Sequence, residues 1–579
     1  MTSTAVELRR AGPARGAGAG AGPARRLGLA LMLALAVCAT AGSRKGAASP
    51  APGAGLATGA GAAAGQASAA PATPGTPAAT GTVPARAPKS ASKGKGMPRT
   101  VFIPSPSNPL VALRLYFEVG SSEDPPGKEG LAALTSDVLG EGGTTKRTYA
   151  EVLDALYPLA AHIQVIGDKD SLVFEGTVHR DNLGAFAALL ADQVLSPRFA
   201  EEDFTRTRQN ASDYLAKTLR GNNDEELGKQ ALATLMYPGH PYAHPTTGTV
   251  AGLAAITLDD VRAFYATHFT RDRLIVGVAG GYPAGFAEAF AARFAALPTR
   301  GAARPPLPAP VLAADAEGRP RKGAQILLVE KDARADAISI GYPLSITRAN
   351  PDFYPLTVAR SYLGEHRTFN GVLMNRLRGD RGLNYGDYAY IESFIQDGWS
   401  TFPHPNLLRR QQHFEIWLRP VPPQNTLFAL RGALWYTRAL IQHGIPEAGF
   451  ESTRRFLSNY ANLWTQDVSR RLGYAIDAKV TGKDLIHELK ARLPRMTKAD
   501  VDRAVRKYLQ LDAFSVVIVT DKAAEVRARL LDGKPSPITY DTAGTAAAIL
   551  EEDKHIEAEP IPVGPESVRI APVERMFER

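Results

Sequence analysis

The 579-residue chain has eleven histidines and one cysteine, and those counts bound the metal and nucleophile chemistry open to it. A single cysteine, Cys38, rules out internal disulfides, thiolate zinc cages and iron–sulfur sites, so any metal would need His, Asp or Glu. A helical zinc site needs two imidazoles four residues apart, because residues i and i+4 share one face and converge on one ion. No histidine lies in H-x-x-E-H or H-E-x-x-H. His240 and His244 are four apart, but Pro241 and Pro245 follow them in "GHPYAHP". That segment is a loop, and its histidines are expected to pack or cap. "SSED" (Ser121 to Asp124) and the scattered histidines form no recognisable nucleophile–base arrangement. A hydrolase using such residues is the least favoured reading.

Composition narrows the class further. Hydrophobic content of 44% and charged content of 22% suit a globular protein of several domains. The net charge of +9 is concentrated at one end. Residues 1–97 hold eleven Lys or Arg against Glu7 alone, a local +10, which leaves the remainder at −1. The globular part gives no electrostatic case for nucleic acid binding.

The N-terminus reads as an export signal over 1–41. Arg25 and Arg26 precede the apolar run "LGLALMLALAV", too short to span a bilayer. "LAVC" ending at Cys38 is like a bacterial lipoprotein box, and "ATA" at 39–41 is like an ordinary cleavage site. The position of the only cysteine favours lipidation at Cys38. Localisation is thus expected to be the periplasm or outer membrane, with membrane contact only through that anchor. Residues 42–97 are Ala, Gly and Pro-rich and cannot fill a core, so they read as a disordered tether.

Order begins near Pro98. "VALRLYFEVG" alternates, with Val111, Leu113, Leu115, Phe117 and Val119 on one face, and reads as a half-buried strand. Helical periodicity follows in "GKEGLAALTSDVLG" and "TYAEVLDAL". A strand is expected at "SLVFEGTV" and longer helices over 182–193 and 200–219. The most informative feature is an internal echo. "ITLDDVRAFYATHFTRDRLIVGVAG" from Ile256 and "MTKADVDRAVRKYLQLDAFSVVIVT" from Met496 align without gaps, 240 residues apart. Each predicts a Thr-capped helix leading into a β-branched strand. Leu139-Gly140-Glu141 is echoed more weakly by Leu363-Gly364-Glu365. The expected plan is α+β: two similar α/β sandwiches, each an antiparallel sheet flanked by helices, from an internal duplication. Their ranges are 98–300 and 325–521, with a Pro-rich linker at 301–324 and a tail at 522–579 packing across the second half.

In order and spacing the chain resembles the pitrilysin/insulinase-type zinc metallopeptidases through most of 98–521. "LRLYFEVGSSED" leads to "GKEGLAAL" as the family's strand and turn lead to its active-site helix. "GHPYAHPTTGT" and "LMNRLRGDRGLNYGDYAY" resemble two further stretches of the family. The resemblance implies a zinc site on that helix, with a glutamate between two histidines as general base and a third ligand downstream. Aligned on "EGLA", this chain has Ala133, Ser136 and Asp137 instead, and the family's interval from Asp137 reaches Tyr214. All four positions are degenerate, so no catalytic residue and no metal ligand is expected here. No cofactor is expected either, with zinc only in a partner subunit.

The resemblance also implies an Arg and a Tyr, seven residues apart, that hold substrate backbone and stabilise the tetrahedral intermediate. Arg378 and Tyr385 have that separation. A guanidinium offers fixed donors to carbonyls, and a phenol can donate to an oxyanion. The bland alternative is a helix-end cation and an ordinary strand tyrosine. Glu365, His366 and Arg367 either line the same cavity or serve as polar helix-end residues. Gly382 is expected to supply a turn. The resulting expectation is a non-catalytic subunit, half of a clamshell and inactive alone. Its partner would be a zinc-bearing insulinase-like peptidase subunit, its substrate a peptide or unfolded protein. The alternative is an envelope peptide-binding or scaffold protein with no peptidase role.

Overall fold

The computed structural model describes residues 96–310, 322–368, 371–395, 400–541 and 543–579. The expected signal segment with Cys38, nearly all of the expected tether and part of the expected linker lie outside the described residues. Helices of eight residues or more are numbered below.

The first half is built on strands β1 (Arg99–Pro104), β2 (Leu110–Phe117), β3 (Gln164–Gly167), β4 (Leu172–His179) and β5 (Leu274–Gly280), in the spatial order β1-β5-β2-β4-β3. Its helices are α1 (Leu131–Gly140), α2 (Tyr149–Leu156), α3 (Leu183–Leu195), α4 (Glu201–Asp213), α5 (Asp224–Met236), α6 (Leu258–His268) and α7 (Phe286–Arg293). The second half has β6 (Gly323–Glu330), β7 (Asp336–Leu344), β8 (Gly386–Tyr390), β9 (Gln412–Val421) and β10 (Ala513–Thr520), in the order β6-β10-β7-β9-β8. Strand for strand the two orders are the same. Among these ten strands the pairs are antiparallel except one in each half, β1 with β5 and β6 with β10. The second half carries α8 (Phe353–Gly364), α9 (Thr426–His443), α10 (Glu447–Tyr460), α11 (Val468–Thr481), α12 (Leu485–Arg492) and α13 (Lys498–Tyr508).

The duplication reaches single residues. Thr257 and Asp260 form a reciprocal capping box on α6, and Thr497 and Asp500 form the same box on α13. Gly140 ends α1 where a Cβ would meet Val165 of β3 at 2.1 Å. Gly364 ends α8 where a Cβ would meet the amide nitrogen of Ala389 in β8 at 2.9 Å. Both glycines let a helix end press on the edge strand of its sheet.

Strand β2 differs from the expectation of one wet face: its residues from Val111 to Phe117 are all buried. The second face is covered from the other half. Helix α11 crosses it, and Val468, Leu472 and Ile476 pack with Ala112, Tyr116, Ile275 and Ala279. Reciprocally, α5 of the first half packs on β7 and β10 of the second. Small residues make room at both crossings. A Cβ on Gly277 would meet Ile476 Cδ1 at 2.9 Å, and one on Gly341 would meet Met236 Sδ at 3.0 Å. Each exchanged aliphatic side chain contributes about 1.5–3 kcal/mol of burial, so the halves stabilise one another.

An ionic clasp joins them as well. The β3–β4 turn places buried Asp168 against Arg409 (2.9 and 2.7 Å) and buried Asp170 against Arg410 (3.0 Å) and Arg304 (2.8 Å).

The tail continues as α14 (Ala523–Asp532), α15 (Ala547–Glu557) and β11 (Val568–Pro572), which adds to the second sheet parallel to β6. It packs on the second half and then returns to the first. The amides of Val250 and Ala251 donate to the carbonyls of Phe577 and Glu578, both at 2.9 Å. Met576 and Phe577 are buried in the first half's core. Among the described residues no helix is long and apolar enough to cross a membrane.

Candidate functional site

Helix α1 is fixed at its start by Asp124, whose carboxylate accepts from the amides of Gly130 and Ala132, both at 2.7 Å. That satisfies two of the helix's orphan donors. Burial lifts the Asp124 carboxyl to about 7 against the pull of those amides. Gly130 sits at φ 107°, where a Cβ would meet the carbonyl of Thr247 at 2.5 Å. This close crossing seats the start of α1 against the loop that follows "GHPYAHP".

The four degenerate positions come together only in part. Asp137 and Tyr214 line one cleft of about 210 Å³, with Glu141, Thr207, Asn210 and Thr247. Ala133, one helical turn before Asp137, shares its face and offers no ligating atom. Ser136 is buried, and its hydroxyl donates back to the carbonyl of Ala133 at 2.7 Å. Burial, reinforced by the charge of Glu141, lifts the Asp137 carboxyl to about 7. Glu141 lies 3.3 Å from Arg206. Burial likewise pushes the Tyr214 phenol up to about 12. The cleft therefore offers carboxylates and a phenol in place of imidazoles, and these residues do not fit a catalytic zinc. Asp213 pairs instead with Lys217 at 2.8 Å on the helix exterior. Among the described residues no cluster of three His, Cys, Asp or Glu is placed to hold a metal ion. Sequence reading did not place Glu141 in the cleft; its signal was the four-residue spacing from Asp137.

The histidines of the loop pack. His240 accepts from the amide of Tyr242 at 3.0 Å and packs between a tilted Tyr237 ring and an edge-on Tyr242 ring. Burial and the nearby Lys169 charge push His244 down to about 4.

Arg378 and Tyr385 do meet. The guanidinium carbon of Arg378 lies 4.8 Å from the Tyr385 ring centre, a cation–π stack. Arg378 stands on a π-helical turn, Met374–Gly379, closed by the amide of Asp380 on the carbonyl of Asn375 at 2.8 Å. Gly382 follows at φ 62°, the turn conformation expected of it. Tyr385 is 58% exposed. Tyr214 opens a second π-helical turn, Tyr214–Leu219. Such widened turns aim side chains that a regular helix would not.

Beneath the pair lies Asp387, a fully buried carboxylate that accepts from Asn384. Burial lifts it to about 8, against the opposing charge of Arg378. It sits in the run "NYGDYAY", where only the fold shows that its alternating position points inward.

Glu365 is buried and paired with Arg360. His366 is buried with its Nδ1 2.6 Å from the Tyr390 hydroxyl, and burial pushes it down to about 3. Both are thus packed inside the second half beside α8.

Known proteins bear on this arrangement. Residues 99–250 match the model described as insulinase (peptidase family M16). Residues 255–403 match the model described as peptidase M16 inactive domain. Together the two segments span just over half of the chain. Among relatives, an uncharacterized zinc protease of Mycobacterium leprae is 24% identical over 328 residues, which is 54% of this chain and 70% of the relative. One from Bacillus subtilis is 20% identical over 303 residues, 52% of this chain and 70% of the relative. Among solved structures, a peptidase M16 inactive domain from Pseudomonas fluorescens superposes with a TM-score of 0.61 at 22% identity, covering 72% of this chain and 94% of that one. A protease from Helicobacter pylori gives 0.61 at 16% identity, covering 74% and 97%. These likenesses carry the two-sheet fold, and the matched segments place "GKEGLAALTSDVLG" and the Arg378–Tyr385 turn in successive units of one plan. The chain belongs to the insulinase family, peptidase family M16.

Proposed function

We propose that this chain is the non-catalytic subunit of an insulinase-like zinc metallopeptidase heterodimer. It forms one side of a clamshell over a zinc-bearing partner, and Arg378 and Tyr385 hold the backbone of an enclosed peptide. The observation that carries this reading is the contrast between two places. The α1 cleft has lost every imidazole, whereas Arg378 and Tyr385 are stacked on an exposed turn. In that setting a guanidinium binds peptide carbonyls, and a phenol donates to the oxyanion that forms as water adds. Zinc belongs to the partner alone, and stoichiometric, tightly bound zinc in the purified chain would overturn that part.

The experiment is reconstitution with a co-purifying relative that carries H-x-x-E-H, using labelled casein as an unfolded substrate. The chain alone should cleave nothing, and the mixture should hydrolyse. Tyr385→Phe should lower kcat by about 100-fold or more, the usual cost of one oxyanion donor, and Arg378→Ala should lower kcat/KM by about 10-fold or more, the loss of charge-assisted bonds to the peptide. Unchanged activity in both variants refutes the role. An envelope peptide-binding or scaffold function is the outcome if the chain binds casein but associates with no zinc-bearing relative. Export to the periplasm or outer membrane with Cys38 lipidated belongs to the same proposal, and the mass of the mature N-terminal peptide tests it.

A further inference from the structure

The turn that carries Arg378 and Tyr385 is seated on the second core by buried Leu377 and Leu383, and a second hold acts through polar side chains. Between the two residues stands Arg381, whose side chain is 0% exposed. Its Nη1 donates to the carbonyl of Arg376 at 2.8 Å, within the same turn, and to the hydroxyl of Tyr436 on α9 at 3.2 Å. Its Nε donates to Asp553 at 2.7 Å, and its Nη2 donates to Glu552 at 2.9 Å. Both carboxylates belong to α15, in the tail, beyond the segments that match the family models.

Helix α15 is itself firmly seated. Ile556 is buried against the second core, and His555 stacks on Trp435 of α9 with ring centres 5.8 Å apart. Arg431 and Arg438 of α9 bind the carbonyl and carboxylate of Glu559 just beyond it. The second oxygen of Asp553 accepts from Tyr540 at 2.6 Å. Arg381 therefore bolts an irregular turn to a rigid element, with charge-assisted bonds on the tail side.

We infer that the C-terminal tail is part of the peptide-binding apparatus: Asp553 and Glu552, through Arg381, are positioning residues for Arg378 and Tyr385. The inference rests on the peptide-holding role proposed above for that pair. Without the two carboxylates, the guanidinium keeps the Arg376 carbonyl, the Tyr436 hydroxyl and the ring of Phe428 on α9, 6.0 Å away. The turn then loses its charge-assisted anchor to the tail and keeps only neutral bonds and a ring contact to α9. Its two closing bonds, Gly382 N–H to the Arg378 carbonyl (2.8 Å) and Leu383 N–H to the Leu377 carbonyl (3.1 Å), open more often.

The test uses the full chain with Glu552→Ala and Asp553→Ala combined, read by amide hydrogen exchange and by binding of fluorescein-labelled casein. Gly382 and Leu383 should exchange at least ~10-fold faster, while α9 and β10 keep their protection. Casein should bind at least ~10-fold more weakly, approaching the affinity of Arg378→Ala. Glu552→Ala alone, at a partly exposed carboxylate, should give a smaller change of the same sign and guards against loss of α15 in the double variant. Unchanged exchange at Gly382 and Leu383 overturns the inference whatever Arg378→Ala does. Faster exchange with unchanged casein binding also overturns it when Arg378→Ala does weaken binding. If Arg378→Ala leaves binding unchanged, the parent reading has failed and the positioning role falls with it; the exchange rates then still report whether the tail braces the turn.

Discussion

Replacing Arg409 by alanine should loosen the two halves by a predictable amount. Arg409 grips Asp168 with two nearly parallel bonds of 2.9 and 2.7 Å, and the Asp168 side chain is 1% exposed. Removing one partner of such a pair leaves an uncompensated buried charge and costs about 3–5 kcal/mol. Lys169, which lies in the field of Asp168 and which burial pushes down to about 7, supplies only part of a compensating charge, so the lower end, about 3 kcal/mol, is expected. A folded body of about 480 residues has a melting entropy of roughly 1 kcal/mol/K, which converts the loss to a fall of about 3 °C. Thermal unfolding followed by circular dichroism reads that fall, and a urea series gives the free energy independently. The paired variant Asp168→Leu with Arg409→Leu removes both charges and should recover most of the loss, because an apolar pair often replaces a buried ion pair without penalty. The single loss should also persist in high salt, since buried pairs are poorly screened. A shift below 1 °C in Arg409→Ala, or a double variant as unstable as the single, would refute the clasp as a stabilising contact between the halves.

Three further outcomes follow from other parts of the structure. Deleting 573–579 removes buried Met576 and Phe577 and the carbonyls that cap the helix starting at Val250; a loss of about 3 kcal/mol, the lower end for a buried aromatic, should appear in urea unfolding. Asp387 has a native pKa raised to about 8, so the folded state holds a proton that the unfolded chain releases near pH 4. Stability should therefore fall as pH rises from about 4 to 8, and Asp387→Asn should flatten that part of the profile; an unaltered profile counts against a neutral Asp387. Finally, Ala133→His, Ser136→Glu, Asp137→His and Tyr214→Glu together should give the chain stoichiometric zinc in a chelator-competition assay, because Asp137 and Tyr214 already share one cleft. Absence of zinc in a folded quadruple variant would mean that the cleft does not converge on one ion.

Much of the architecture can be read from local pattern. The Thr-x-x-Asp boxes at 257–260 and 497–500, each followed by a β-branched run, specify a helix and a strand through short-range bonds, and their 240-residue separation exposes the duplication. The degenerate positions are likewise a matter of residue type: Ala133 has no ligating atom in any fold. Tertiary structure decided the rest. Alternation in "VALRLYFEVG" predicts one wet face, but α11 arrives from more than 350 residues away and buries it. No local signal marks α15 as the anchor of Arg381, because a salt bridge across 171 or 172 residues leaves no periodicity in either segment. The stack of Arg378 on Tyr385 depends on a π-helical turn and on Gly382 at positive φ. Residue types limit which groups this protein can offer chemically, and the repeat reveals the two-fold plan that carries them. Which of those groups meet depends on the packed fold, because side-chain convergence is set by long-range packing, which sequence spacing does not encode.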